Sequence, residues 1–377
     1  MPITGKEAVN EAFYHTVLYY TGRIALTSPS SHTRLGHKEL AEIILRDETL
    51  KKTHNSLTAR THREPRLLDA DFNPESPKTP TLREQIEAIY QTNEFGMIMI
   101  NDPMYPESLK SMLFPPPILY YQGDISLLDT NQNPKRTTVV GTRDIQEAMA
   151  YTNNPTSLPS GWYVIGKRPN RVLHAMRYRS KERKFVDLPL DDYLKYIQEG
   201  ESAVQKITAT GKIVVSGLAP GCDTLAHQTA IATGGKTIAV LGSSLDDEYP
   251  KSRLRGVIRA DYLLISQYPL GINYSTLLKS TLPFRNATTV GLSTDWVVIV
   301  RTEDHGGTQY AITAAYEQGK RLCVLPNSKN FEWVEKQKKR FDNRDEAEGS
   351  KKHSFVVASP EKLRTIMLKN GQRHDTK

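Results

Sequence analysis

The residues best suited to chemistry lie near the middle of the chain, in Lys212-Ile-Val-Val-Ser-Gly-Leu-Ala-Pro-Gly-Cys-Asp-Thr-Leu-Ala-His227. An apolar β-branched run leads into small residues at Ser216, Gly217 and Gly221, followed by Asp223 and Thr224, both good N-cap types. The stretch reads as a buried strand, a tight turn and a helix continuing through Ala226, His227 and Ala230. Where a helix start faces a strand end, unpaired backbone N–H groups and the positive end of the macrodipole suit an anion, usually phosphate. A purely structural βα turn would use the same residues, so the rest of the chain has to decide between the two readings.

The elements that position this turn repeat along the chain. Apolar strands are expected at 137–140, 212–215, 237–241, 262–265, 296–300 and 321–325, separated by helical segments. That alternation predicts an α/β fold: a Rossmann-like, mostly parallel sheet with helices on both faces. Small-residue turns follow several of the strands, at Gly141, Ser216-Gly217, Gly242-Ser-Ser244 and Gly306-Gly307. Ligands of open α/β sheets bind at the carboxyl ends of the strands, so Gly221, Gly242, Ser243, Gly306 and Gly307 should gather around one crevice.

Other chemistries lack their residues. No GxGxxG follows a strand and no GxxxxGK[ST] occurs, which argues against a dinucleotide fingerprint and a Walker-type hydrolase. No Ser, His and Asp arrangement stands out, and His227 and His305 read as packed or solvated histidines. Cys222 and Cys323 have no CxxC or His cluster beside them, so neither a zinc site nor a disulfide framework is expected. No metal and no cofactor are expected. No apolar run approaches the ~18 residues of a membrane span, which points to a cytoplasmic protein with no membrane partner. The net charge of +8 and pI near 9.2 favour an acidic partner such as nucleic acid.

Along the chain, residues 1–92 form a small N-terminal helical domain and linker. Helical spacing runs from Glu7 to Leu26 and from Leu35 to Leu45, with an Arg-, Pro-, Thr- and Asn-rich linker at 54–80 and another short helix at 82–90. Residues 93–329 carry the Rossmann-like domain, and 330–377 read as a charged loop and C-terminal extension. Between Arg143 and Ser216 the chain holds about twice the length that one helical crossover needs. The excess is about 151–192, and within it 162–185 reads as a two- or three-stranded ribbon. Its run from Lys167 to Lys184 has eight cations (Lys167, Arg168, Arg171, Arg177, Arg179, Lys181, Arg183 and Lys184) against the single acid Glu182. Trp162, Tyr163, Tyr178 and Phe185 are interleaved with them, a composition suited to tracking a nucleic-acid backbone while stacking on bases. A solvated edge ribbon with its aromatics turned inward is the bland alternative.

Taken together the motifs resemble the DNA-processing protein A (DprA, or Smf) family. They are Tyr105-Pro-Glu-Ser-Leu109, Pro116-Pro-Ile-Leu-Tyr120, Val139-Val-Gly-Thr-Arg143, Ser216-Gly-Leu-Ala-Pro-Gly-Cys-Asp223, Thr237-Ile-Ala-Val-Leu-Gly242, Ser266-Gln-Tyr-Pro-Leu-Gly271, Pro283-Phe-Arg-Asn286 and Gly306-Gly-Thr308. The resemblance implies a protein that binds single-stranded DNA, breaks no bond, and assists a RecA-type recombinase as a homodimer. It also implies a phosphate contact by Arg143 and a strand-holding role for Lys279; Thr142, Arg285, Asn286 and Thr308, in the same motifs, are the further candidate contacts. Arg offers a planar fork for phosphate and Lys a point charge.

Three positions depart from the family pattern. Pro220 removes an N–H donor, Leu282 replaces a stacking Phe, and Ala287 replaces an Arg. The resemblance therefore implies a weakened pocket that the basic insertion could compensate. An alternative reading is a nucleotide-binding sensor or phosphoribohydrolase-like enzyme of the related Rossmann group. Such an enzyme needs a carboxylate on the helix after the glycine turn, and residues 309–315 contain none. A relative repurposed for antiphage defence is the remaining alternative.

Overall fold

The computed structural model describes residues 5–20, 24–25, 36–47, 49–53, 82–93, 95–129, 135–143, 145, 162–165, 174–179, 184–247, 262–275, 277–294, 296–304, 306–327, 330–334, 336 and 355–369. In chain order the elements begin with α1 (Gly5–Tyr20), α2 (His37–Asp47), α3 (Leu82–Asn93), β1 (Gly96–Met99), α4 (Glu107–Lys110), β2 (Ile118–Gly123) and β3 (Arg136–Val140). They continue with β4 (Trp162–Ile165), β5 (His174–Arg179), β6 (Lys184–Pro189), α5 (Leu190–Thr208), β7 (Ile213–Gly217), α6 (Cys222–Ala232) and β8 (Thr237–Val240). The last are β9 (Leu263–Ser266), α7 (Leu278–Gly291), β10 (Trp296–Ile299), α8 (Gly307–Glu317), β11 (Arg321–Val324), β12 (Phe355–Val357) and α9 (Pro360–Lys369).

The chain divides into two compact units that interleave in sequence: Met1–Lys135 with Thr237–Thr294, and Arg136–Lys236 with Asp295–Lys377. The first carries strands in the order β1-β2-β9-β8, antiparallel except for the parallel β8–β9 pair. All four residues of β1, β8 and β9 are buried, as their unbroken apolar runs require. The N-terminal helices belong to this unit. The His15 imidazole and Tyr120 hydroxyl share a 2.8 Å hydrogen bond, and Thr16 and Tyr20 donate to the carbonyls of Leu270 (2.8 Å) and Gly271 (3.1 Å). Buried Glu11 accepts the Leu50 amide, and burial raises its carboxyl above the usual range.

In the second unit five strands run in the order β7-β3-β10-β11-β12, every neighbouring pair parallel. Val139, Val214 and Val298 share one core with Ile197 and Val204 of α5, Leu225 and Ala226 of α6, and Leu363 and Met367 of α9. From β3 the chain moves one way across the sheet to β7, and from β10 the other way to β11. Right-handed crossovers therefore put α5 and α8 on opposite faces. The fold is the expected α/β architecture with a mostly parallel sheet. The C-terminal extension contributes more than a charged loop: β12 extends the sheet beside β11, and α9 packs on α5.

The insertion forms a separate antiparallel sheet in the order β4-β5-β6, matching the expected ribbon. Among the described residues no helix is long and apolar enough to cross a membrane.

Candidate nucleic-acid interface

β3, β7 and β10 are parallel neighbours, so their carboxyl ends open on one edge of the second unit. The direction of chain progress reverses between β3 and β10, the switch point at which open α/β sheets bind ligands. The turn after β3, Gly141-Thr142-Arg143, is held from both sides. The Thr142 amide donates to the Arg301 carbonyl at 3.1 Å, and the Cys222 amide donates to the Thr142 carbonyl at 3.1 Å. A Cβ on Gly141 would lie 2.4 Å from the Cys222 Sγ, and one on Gly221 would lie 2.5 Å from the Thr142 carbonyl oxygen. Gly221 also has φ 89°, in the left-handed region that favours glycine. The two turns touch through glycine, and Arg143 is exposed at the tip.

The start of α6 differs in detail from the expectation. Gly221 is the N-cap, while Asp223 and Thr224 lie inside the first turn. They still tie down the preceding loop: the Asp223 carboxylate accepts the Ala219 amide at 3.4 Å, and the Thr224 hydroxyl donates to the Ala219 carbonyl at 2.9 Å. The first amide of α6, on Cys222, is already bonded to Thr142, so this helix start fastens the β3 turn. Ser216 is buried and donates its hydroxyl to the Val139 carbonyl at 2.6 Å. His227 is packed: its Nε2–H donates to the Gly217 carbonyl at 2.5 Å, which fixes the tautomer. Cys222 and Cys323 are buried free thiols, the latter pushed up to about 12 by burial, so it is not a thiolate at neutral pH.

Sequence reasoning missed Arg301, which follows β10. Its guanidinium carbon lies 4.9 Å from the Tyr193 ring centre and 5.1 Å from that of Tyr196. Its nitrogens donate to Thr142 Oγ1 at 3.2 Å and Glu303 Oε1 at 3.0 Å. An Arg just past an apolar strand, with two tyrosines opening the helix of the preceding crossover, was the available signal. Gly306, at φ 129°, caps α8; Gly306 and Gly307 are exposed and Thr308 is buried.

The other expected contacts belong to the first unit. There the Gly242 carbonyl accepts the Thr281 hydroxyl at 2.6 Å, and the Ser243 carbonyl accepts the Ser266 hydroxyl at 2.7 Å. A Cβ on Gly242 would lie 2.5 Å from Leu282 Cδ2, so Leu282 packs over this turn. Arg285 is buried, its Nη1 donating to the Val240 carbonyl at 2.8 Å. Lys279 is exposed and Asn286 half-buried on the same helix, α7. Of the insertion cations, Arg177 and Arg179 lie on β5 and Lys184 on β6. Lys167, Arg168, Arg171, Lys181 and Arg183 fall outside the described residues, as does His305.

The family model for DNA recombination-mediator protein A matches residues 96–157 and 195–352, more than half of the chain. The chain belongs to this family. Among recombination-mediator relatives, DNA processing protein DprA of Streptococcus pneumoniae is 36% identical over 136 residues, 35% of this chain and 47% of that protein. The Bacillus subtilis DprA is 26% identical over 254 residues, 67% of this chain and 66% of that protein. These alignments thus span about half to two thirds of the relatives' own lengths. A solved structure of the Streptococcus pneumoniae protein has the same fold, with TM-score 0.51 at 21% identity over 97% of this chain and 98% of that one. The matched stretches of the recombination-mediator model leave out 158–194, where β4, β5 and β6 lie.

Proposed function

We propose that this recombination-mediator family member binds single-stranded DNA by its phosphates, breaks no bond, and hands the strand to a RecA-type recombinase, working as a homodimer in the cytoplasm. The observation that carries this reading is the β3 turn: two neighbouring loops clamp it at a sheet switch point and leave Arg143 exposed. A backbone held this firmly needs no further ordering when the guanidinium fork meets a phosphate, and contact of that kind is indifferent to base sequence. Lys279 supplies a second exposed cation on α7. The enzyme alternative is disfavoured. On α8 the only carboxylate is Glu317 at the far end, while Gln309 is engaged with Thr302 at 3.0 Å, so this helix offers no acid near its start to support an oxocarbenium-like transition state.

The test is to titrate the full chain with oligo-dT at several salt concentrations and, separately, to incubate it with nucleoside monophosphates. Salt-sensitive retention of the oligomer without release of free base is the expected result. Release of base, or retention insensitive to salt, overturns the reading. Strand transfer onto a RecA-type recombinase from DNA coated with single-strand-binding protein tests the hand-over.

A further inference from the structure

Residues 158–194 fall between the two stretches matched by the family model, and there the chain builds the sheet β4-β5-β6. The backbone register sets Trp162 opposite Arg177, Arg177 opposite Val186, and Arg179 opposite Lys184. Facing residues of an antiparallel pair share a face, and the pleat alternates with period two. Trp162, Arg177, Arg179 and Lys184 therefore occupy one face; Tyr163, Tyr178, Phe185 and Asp187 occupy the other. The strand positions of the first face also include Val164, Ala175, Val186 and Leu188; Val164, Ala175 and Leu188 form the row nearest α5, the three cations and the indole lie beyond it, and no position on the face is a carboxylate. Composition alone does not give this sorting; the register does.

The sheet is also rooted at the switch point. β6 runs straight into α5 at Leu190, and Tyr193 in the first turn of α5 lies against Arg301, which holds Thr142. The insertion thus returns to the main sheet beside the turn that carries Arg143.

We propose that the Trp162, Arg177, Arg179 and Lys184 face is a second single-stranded DNA contact, continuing the path of a strand held at Arg143. This rests on the single-stranded DNA reading above. Arg177 and Arg179 are about 7 Å apart along β5, room for successive phosphates of an extended strand. Trp162, at the position opposite Arg177, supplies an indole for base stacking, and no carboxylate position on the face repels the backbone.

The test uses the full chain and compares wild type, Arg143→Ala, the triple variant Arg177→Ala/Arg179→Ala/Lys184→Ala, and Trp162→Phe on short and long oligo-dT. For long oligomers the triple variant should bind about tenfold or more weakly. Its slope of log affinity against log salt should fall by about 2, since each phosphate left unneutralised removes about 0.7. Its affinity for the shortest oligomers that wild type retains should be unchanged. Oligo-dT should quench tryptophan emission of wild type but not of Trp162→Phe, since Trp296 and Trp333 are only 3% and 1% exposed. If the triple variant keeps wild-type affinity and slope while Arg143→Ala loses binding, the second contact is overturned and the first reading stands. If wild type binds no oligomer, both fall. Should circular dichroism show the triple variant unfolded, the quench decides: its loss in Trp162→Phe supports the contact and its persistence overturns it.

Discussion

Arg301 holds Thr142 twice: its Nη1 donates to the Thr142 hydroxyl at 3.2 Å, and its carbonyl accepts the Thr142 amide at 3.1 Å. One buried residue therefore fixes both side chain and backbone of the residue before Arg143. The guanidinium itself lies against both Tyr193 and Tyr196 and is 3% exposed, and burial lowers its affinity for its proton.

Arg301→Ala should destabilise the protein by about 2 kcal/mol, because hydrogen bonds to a buried charged group contribute about 1.5–3 kcal/mol. Its ion-pair partner Glu303 is 48% exposed, so Glu303→Ala should cost no more than about 1 kcal/mol. Urea unfolding of the two variants checks the contrast, and oligo-dT affinity should fall only in Arg301→Ala.

Arg143→Ala and Arg285→Ala should fail in different ways. Arg143 is exposed, so its loss should leave stability unchanged, weaken oligo-dT binding, and lower the salt slope by about 0.7. Arg285 is buried on the Val240 carbonyl, so its loss should cost about 1–3 kcal/mol of stability. Thermal unfolding and fluorescence anisotropy on each variant separate the two roles, and Lys279→Ala should behave like Arg143→Ala.

Gly221→Ala tests the coupling between the two turns without touching a cation. A left-handed backbone costs an L-residue about 1–2 kcal/mol, and the added Cβ meets Thr142 and Arg143 backbone atoms at 2.5 and 2.6 Å. Lower Tm together with weaker oligo-dT binding is expected. Unchanged binding in a folded variant would show that the turn does not position Arg143.

Asp246 makes stability depend on pH. Burial raises its carboxyl above the usual range while it accepts the Gly271 amide at 2.9 Å. With the folded pKa above the unfolded value of about 3.9, its favourable contribution is complete below that value and is lost as pH rises through the folded pKa. Asp246→Asn keeps an acceptor for Gly271 and removes the buried charge. The variant should unfold at higher temperature than wild type at pH 7, and the gap should shrink as pH falls towards 4.

The strands were legible in the sequence because each is a short apolar run whose burial depends on its own residues. The expected 296–300 and 321–325 became Trp296–Ile299 and Arg321–Val324. The ribbon, described at 162–165, 174–179 and 184–189, was legible from length, since no single crossover needs so many residues. The last strand was not. Phe355–Val357 has only three residues after a charged run and gains its place by pairing with β11.

Local chemistry by itself determined the alternation of strands and helices, the glycines at the strand ends, the basic character of the insertion and the motifs that mark the family. Tertiary structure decided which polar residues face outward. Ser216 bonds Val139 at a separation of 77 residues, Arg285 bonds Val240 at 45, and Arg301 reaches Tyr193 at 108. The physical reason is that a side chain's role follows from the partner that burial brings to it, and those partners are distant in the chain. The same holds for the insertion, where only the strand register collects Trp162, Arg177, Arg179 and Lys184 on one face.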